Sequence, residues 1–224
     1  MSIVGHAPIH KSVLSKEPRK VDALNAILEN RAKPNTLDSN GWTALHHACY
    51  EGDRVSADIL IKNDADVNSF SNLGKTPLHM AAMRNHTNCI ELLLQPPADI
   101  PRNKKAKIEA KDELGCTPLH LGCKKGSYDA VCLLLALGCD PYALDHRGWT
   151  PLHYAAYNGE PKIAKKLLTW TADTDPKLRN ARNSQNRTAF NISKNPETKL
   201  GFRIVWKAAK EGDLDMVRIL TREG

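Results

Sequence analysis

The sequence has 224 residues, of which 41% are hydrophobic and 25% charged, and its formal net charge is +7. A chain of this length and apolar content can bury a core without disulfides or metal, so disorder of the whole chain is excluded. No segment approaches the roughly 18–20 uninterrupted apolar residues of a transmembrane helix, and residues 1–8 lack the features of a secretory signal. We therefore expect a cytoplasmic or nuclear protein without a membrane span, whose six cysteines stay reduced.

A four-residue pattern, Thr-Pro-Leu-His or a close variant, recurs along nearly the whole chain, and its first and last copies are degenerate. The six copies begin at Ala7, Thr43, Thr76, Thr117, Thr150 and Thr188. The intervals are 36, 33, 41, 33 and 38 residues, which a period of 33 with insertions of three, eight and five residues explains. A fixed period of this length indicates a repeat architecture rather than one or two ordinary domains.

Each copy is framed by turn residues. Gly stands two residues before the Thr in four copies, and Asn in the sixth, which predicts a backbone φ above zero. The Thr predicts a helix N-cap, and the Pro that often follows it suits the first helical turn. A second turn separates this helix from another that carries an aliphatic stripe. The residues of that second turn are Gly52, Asn85, Gly126, Gly159 and Gly212.

The order Gly-x-Thr-Pro-Leu-His, Ala-Ala, Gly, a Leu triplet and Ala-Asp, at this period, resembles the ankyrin repeat over about nine-tenths of the chain. The resemblance implies an all-α fold, an ankyrin-repeat solenoid of stacked antiparallel helix pairs with projecting β-hairpin fingers. Residues 1–202 would form the array, with repeats that start near residues 5, 41, 74, 115, 148 and 186. Residues 203–224 would form a fused terminal helix and a partial seventh unit.

The C-terminal region does not follow the 33-residue spacing of the motif copies. The first helix of a seventh unit begins before a finger could form, so we expect one continuous helix from about Glu197 to Glu211. Trp206, Val217, Ile219 and Leu220 would then cover or extend the stack. Because the sequence ends where a new finger would start, we expect a monomeric array within a longer chain.

The resemblance also gives a structural role to the histidine of the motif, whose imidazole hydrogen-bonds the turn that positions the next repeat. Five of the nine histidines occupy this position: His10, His46, His79, His120 and His153.

The spacing of the candidate residues argues against a metal site or a catalytic site. A possible zinc set of Cys116, His120, Cys123 and Cys132 lacks the paired spacing of zinc ligands. Phosphate-loop, nucleophile and paired acidic motifs are missing from the sequence. We therefore expect no catalytic residue, cofactor or metal, and no enzyme activity.

Two insertions carry positive charge. The first lies between Asp99 and Glu109, contains Arg102, Lys104 and Lys105 after several prolines, and predicts an extended basic finger. Either a partner contact, a nuclear-import patch or a solvated loop would account for it. The second insertion, residues 174–178, has cations on both sides and would reinforce the same positive field.

Proteins of the ankyrin family mostly bind partners through the finger tips and the exposed end of the first helix of each repeat. The register places there Asn40, Trp42, Tyr50, Leu73, Lys75, Met83, Arg84, Leu114, Lys124, Lys125, Arg147, Trp149 and Tyr157, with Cys116 also on a finger. The set is rich in aromatic and cationic residues, which are common interface anchors. The alternative is that the two tryptophans pack on neighbouring fingers and that the lysines belong to a solvated helix end.

The sequence therefore predicts a non-catalytic scaffold or adaptor that binds an acidic or phosphorylated protein segment in its concave groove and on the hairpin fingers. One alternative is a nucleotide- or single-stranded RNA-binding array, which would use the same cations and aromatic rings. Another is the targeting part of a larger kinase, ubiquitin ligase, acyltransferase or channel.

Overall fold

A computed structural model describes residues 6–101, 104–171 and 177–211, with the side chains of all but 171 and 205–211 in these ranges. These residues form thirteen helices and no β-strand. The helices are α1 Pro8–Leu14, α2 Lys20–Glu29, α3 Ala44–Glu51, α4 Arg54–Lys62, α5 Pro77–Met83, α6 Thr87–Leu94, α7 Pro118–Lys125, α8 Tyr128–Ala136, α9 Pro151–Asn158, α10 Pro161–Thr171, α11 Lys177–Asn180, α12 Ala189–Ile192 and α13 Pro196–Glu211. They belong to two compact units, unit 1 (residues 1–113) and unit 2 (residues 114–224).

Within each unit, successive helix pairs stack on one another. In unit 1, α1 packs on α2, α3 on α4 and α5 on α6, while α3 also contacts α1 and α5. In unit 2, α9 contacts α7, α10 and α12, and α10 packs on α13. Leu45 and Leu60 in unit 1 and Leu119 and Leu152 in unit 2 are among the buried side chains of these packed faces. The all-helical repeat fold predicted from the sequence is confirmed.

The motif threonine and histidine together start the first helix of a repeat. In α3, the Thr43 hydroxyl accepts a hydrogen bond from the His46 amide, and the Thr43 amide donates to His46 Nδ1. The opposite ring nitrogen of His46 lies 2.9 Å from the carbonyl oxygen of Lys75 in the next finger. His120 and His153 make the corresponding contacts with the carbonyls of Trp149 and Arg187. The predicted structural role of these histidines is confirmed.

The fingers are tight turns rather than β-hairpins with regular strands in the described part of the chain. Four of the turns are closed by a backbone bond of this type, for example from Asp38 N to Trp42 O at 2.9 Å. Neighbouring turns are joined by further backbone bonds, from Asn72 N to Asn40 O in unit 1 and from Ser184 N to Arg147 O in unit 2, each 3.0 Å. The predicted glycines and asparagines adopt positive φ at these turns, Asn186 included, whereas Gly212 lies outside the described residues.

The described part of the first insertion folds back onto unit 1 rather than projecting as an extended basic finger. The Lys104 ammonium folds back and donates to the carbonyl of Ile61, at 2.9 Å, and to Asp64 Oδ1, at 2.6 Å. The Ala106 amide donates to the carbonyl of Leu93, so the loop is fastened to the ends of α4 and α6. The physical reason is that the last carbonyls of a helix lack partners within it and attract a cation. Arg102 lies outside the described residues.

The C-terminal end of the described chain is dominated by α13, whose Phe202 is buried. This helix spans the segment in which the sequence predicts one continuous helix, and the expected boundary at residue 203 falls inside it. The side chain of Trp206 and residues 212–224, which include Val217, Ile219 and Leu220, lie outside the described part, as do residues 172–176 of the second insertion.

Candidate functional site

A buried carboxylate organises the finger between α8 and α9 in unit 2. Asp145 Oδ1 accepts hydrogen bonds from the amides of Arg147 and Trp149, both 2.8 Å, and Oδ2 accepts one from the Tyr154 hydroxyl, also 2.8 Å. Burial alone would raise the pKa of Asp145, but these hydrogen bonds bring it below its ordinary value. Burial raises the pKa of Tyr154. The finger therefore carries a fixed negative charge that faces a neutral phenol.

The guanidinium of Arg147 is held by the same group of side chains. Its Nη2 donates to the Tyr154 hydroxyl at 2.6 Å, and its Nε lies 3.5 Å from Asp145 Oδ2. Its Cζ lies 4.7 Å from the ring centre of Trp149, within the range of a cation–π contact. The side chain nevertheless remains 58% exposed, so Arg147 presents its charge to solvent in a fixed orientation.

Two lysines extend this charge across unit 2. Lys124 Nζ lies 5.6 Å from the ring centre of Tyr154, and Lys194 Nζ lies 5.6 Å from that of Tyr157. The Tyr157 ring in turn packs against Trp149, with 5.5 Å between their centres.

We call this arrangement the cation–aromatic surface of unit 2. It comprises Lys124, Arg147, Trp149, Tyr157 and Lys194, together with the exposed Lys125 that follows Lys124 in α7.

Lys194 is not among the residues that the sequence predicts on this surface. The helix α12 ends at Ile192, so the register of the other repeats, which places the exposed helix end further along, does not apply to this copy. The only signal in the sequence is a lysine that follows a degenerate motif.

Unit 1 has a smaller arrangement of the same kind. Trp42 packs against His47 and Tyr50, with ring centres 4.9 and 5.3 Å apart, and Arg84 Cζ lies 4.8 Å from the ring centre of Tyr50. Here the Asp38 carboxylate accepts a 2.9 Å hydrogen bond from His47 Nε2, in the place that Tyr154 takes in unit 2. Both tryptophans thus pack on the first helix of their own repeat, and neither is fully buried.

The other predicted surface residues are distributed as follows. Asn40, Leu73, Lys105, Leu114 and Lys125 are exposed, whereas Lys75 and Met83 are half-buried. Lys104 differs, because its ammonium is bonded within unit 1 and its side chain is only 20% exposed.

Cys116 does not belong to the surface either. It is buried, and its Sγ lies 3.3 Å from the Tyr154 hydroxyl. The register places it on a finger, but in unit 2 the side chains of Tyr154 and Asp145 enclose it.

Among the described residues, one group of side chains has the ligand types and spacing of a metal site. It consists of His6, Asp38 and His47, whose ligand atoms all lie within 4.8 Å of one another. The sequence did not indicate this group, because His6 lies before the first repeat motif and the three residues come from separate segments. The Cys116, His120, Cys123 and Cys132 set does not form such a group.

Within the described ranges, no helix combines the length and apolar character that crossing a membrane would require.

Comparison with known proteins agrees with the repeat architecture. A family model for ankyrin repeats (3 copies) matches residues 9–104 and 104–180. The chain is 33% identical over 138 residues to the target of rapamycin complex 2 subunit AVO2 of Saccharomyces cerevisiae, which is 60% of this chain and 30% of that protein. It is 30% identical over 176 residues to the nuclear factor NF-kappa-B p105 subunit of Gallus gallus, covering 77% of this chain and 17% of the relative.

A plant protein, the E3 ubiquitin-protein ligase XBAT33 of Arabidopsis thaliana, is 31% identical over 187 residues, or 79% of this chain and 35% of the relative. The chain therefore spans only 17–35% of the length of these three relatives. The motif register, the stacked helix pairs and the family match lead to one conclusion: the chain belongs to the ankyrin repeat family.

Proposed function

We propose that the chain is a non-catalytic interaction module that binds an acidic or phosphorylated protein segment on the cation–aromatic surface of unit 2. Ankyrin repeats generally mediate protein–protein interactions, and the family is typically non-catalytic. The observation that supports the finer proposal is the fixed position of Arg147 beside Trp149, with further cations on both sides.

The chemistry of this surface favours anions. An exposed guanidinium can pair with a carboxylate or a phosphate through two parallel hydrogen bonds, which also fixes the orientation of the ligand. Because Arg147 is already held by Tyr154 and Trp149, little side-chain freedom remains to be lost on binding. Trp149 and Tyr157 add flat apolar surface, so a segment that places an aromatic or aliphatic residue between acidic ones would fit.

The array would belong to a longer, monomeric protein, in keeping with the share of its relatives that it spans. In one relative the printed name is that of a ubiquitin ligase, and a targeting role within a larger enzyme is consistent with the same surface. A cytoplasmic or nuclear location would suit the six cysteines, all of which are free thiols.

An array of peptides tests the proposal directly. Peptides with an aromatic residue flanked by Asp, Glu or phosphoserine are expected to bind, whereas the same peptides with Asn, Gln and Ser are not. A short single-stranded RNA serves as the competing ligand, because a phosphate backbone could use the same cations and rings. Retention of the RNA in filter binding, together with no difference between acidic and neutral peptides, would contradict the proposal.

A further inference from the structure

We propose that His6, Asp38 and His47 form a binding site for one zinc-type divalent transition metal ion in unit 1. His6 lies immediately before α1, Asp38 in the finger before α3, and His47 in α3 itself. The site would connect the segment before the first helix pair, α1 and α2, to the second helix pair, α3 and α4.

The distances fit a small cation. The Nε2 atoms of His6 and His47 lie 3.2 and 2.9 Å from the same oxygen, Asp38 Oδ2. In a tetrahedral zinc site with ligands at about 2.0–2.1 Å, neighbouring ligand atoms are separated by about 3.3 Å. These two separations therefore differ by at most a few tenths of an ångström from those of a tetrahedral site.

The site is enclosed. The side chains of His6, Asp38 and His47 are 6%, 0% and 3% exposed. The ligand atoms would be the two Nε2 nitrogens and Asp38 Oδ2, so an ion would replace the contacts that these buried groups make with one another.

The carboxylate is also held in place for this role. Asp38 Oδ1 accepts hydrogen bonds from the amides of Asn40 and Trp42, at 2.8 and 2.9 Å, which leaves Oδ2 directed at the two imidazoles. Hydrogen bonds of this kind orient metal ligands. Two imidazoles and a carboxylate are a ligand set suited to Zn²⁺ and its neighbours, and water or a small anion would take the fourth position.

The repeat scaffold does not itself require these ligands. The position of His47 is occupied by Met80 in the next repeat and by Tyr154 in unit 2, and Asp145 faces the tyrosine rather than nitrogen ligands. The combination of two histidines around the finger carboxylate is therefore particular to the second repeat.

The test is a titration of tag-free, chelator-treated protein with Zn²⁺ and Co²⁺, followed by calorimetry and by visible absorption of the Co²⁺ form. One ion per chain should bind, with a four-coordinate Co²⁺ spectrum, and the melting temperature should rise with Zn²⁺ concentration. Asp38→Asn, His47→Met and His6→Gln should each weaken binding at least tenfold.

The variants are chosen so that the fold survives. Asn183 holds the corresponding turn of the last repeat, where its Oδ1 accepts from the amides of Gln185 and Arg187, and methionine replaces His47 with the residue of the next repeat. Asp145→Asn is the matched control and should leave binding unchanged. Absence of saturable binding, or equal affinity in the control and in the three ligand variants, would overturn the proposal.

Discussion

The hydroxyl of Tyr154 donates a 2.8 Å hydrogen bond to the buried carboxylate of Asp145. The same hydroxyl accepts a 2.6 Å bond from Arg147, so one phenol connects the helix α9, the finger before it and the exposed cation. The stability of the finger and the orientation of the cation–aromatic surface therefore depend on the same atom.

Replacing Tyr154 by phenylalanine should lower the free energy of unfolding by about 1–3 kcal/mol, because Asp145 Oδ2 loses a buried hydrogen bond. Urea denaturation of the whole chain measures this difference. Tyr157→Phe is the control, since Tyr157 is exposed, and it should change stability by less than about 0.5 kcal/mol. Equal effects of the two substitutions would show that the Tyr154 hydroxyl has no special role.

Gly74→Ala should be more destabilising than Gly138→Ala. Both glycines have positive φ, at 67° and 89°, so both substitutions incur about 1–2 kcal/mol of backbone strain. A Cβ at Gly74 would additionally lie 2.7 Å from the backbone nitrogen of Glu113, whereas a Cβ at Gly138 would meet no atom within 4 Å. We expect Gly74→Ala to lower the free energy of unfolding by at least about 1 kcal/mol more than Gly138→Ala, as measured by thermal unfolding. Similar losses of stability at both positions would contradict this close contact between turns.

Stability should fall as the pH is lowered from 7 to 4. Burial lowers the pKa of His46 to about 4 from an ordinary value of 6.5, so below pH 6.5 the unfolded chain takes up a proton that the folded chain does not. Acidification therefore destabilises the folded chain, and the low pKa of His46 alone would reduce the free energy of unfolding by about 2 kcal/mol at pH 5. Burial also lowers the pKa of His10 and of His153, which act in the same direction.

The variant His46→Asn isolates this effect. Asparagine occupies the corresponding position in the sixth copy, where Asn191 Oδ1 accepts a hydrogen bond from the Thr188 amide. The variant should be less stable at pH 7 but should show a shallower loss between pH 6.5 and pH 4 in urea denaturation. An unchanged pH dependence would argue that His46 is not buried in its neutral form.

Lys104→Ala should lower stability by about 1 kcal/mol, because its ammonium bonds to the carbonyl of Ile61 at the end of α4. Lys105→Ala is the matched control, since Lys105 is exposed, and it should have an effect below about 0.5 kcal/mol. Partner binding should be insensitive to Lys104. A stability that is identical in both variants would favour the solvated-loop interpretation of this insertion.

The repeat fold could be predicted from the sequence because the signals that specify it are local. A Thr cap, a Pro in the first turn and a residue with positive φ each act within a few positions, and their repetition at one period identifies the family. The histidines could be assigned for the same reason. His46 contacts Thr43 within its own motif, and only its bond to Lys75 reaches into the next repeat.

The features that the sequence does not predict depend on contacts between residues that lie far apart in the chain. Lys104 turns inward because the Ile61 carbonyl at the end of α4, 43 positions earlier, accepts its ammonium. Cys116 is buried because Tyr154, 38 positions later, covers it. His6 joins Asp38 and His47 although it lies outside every motif copy. A periodic pattern contains no information about such contacts.

The central claim is that the cation–aromatic surface of unit 2 binds an acidic segment, and one comparison of affinities tests it. The variant Lys124→Glu/Lys125→Glu reverses two charges on this surface, whereas Lys162→Glu/Lys165→Glu reverses two charges on α10 and gives the same net charge. Arg147 is left intact, because its bonds to Tyr154 and Asp145 would confound stability with binding.

The measurement is the dissociation constant of an acidic peptide selected from the array, by fluorescence anisotropy at physiological ionic strength. The account predicts that the Lys124/Lys125 variant binds at least tenfold more weakly, while the Lys162/Lys165 variant stays within about threefold of the wild type. Equal losses in both variants, or no loss in the first, would contradict it.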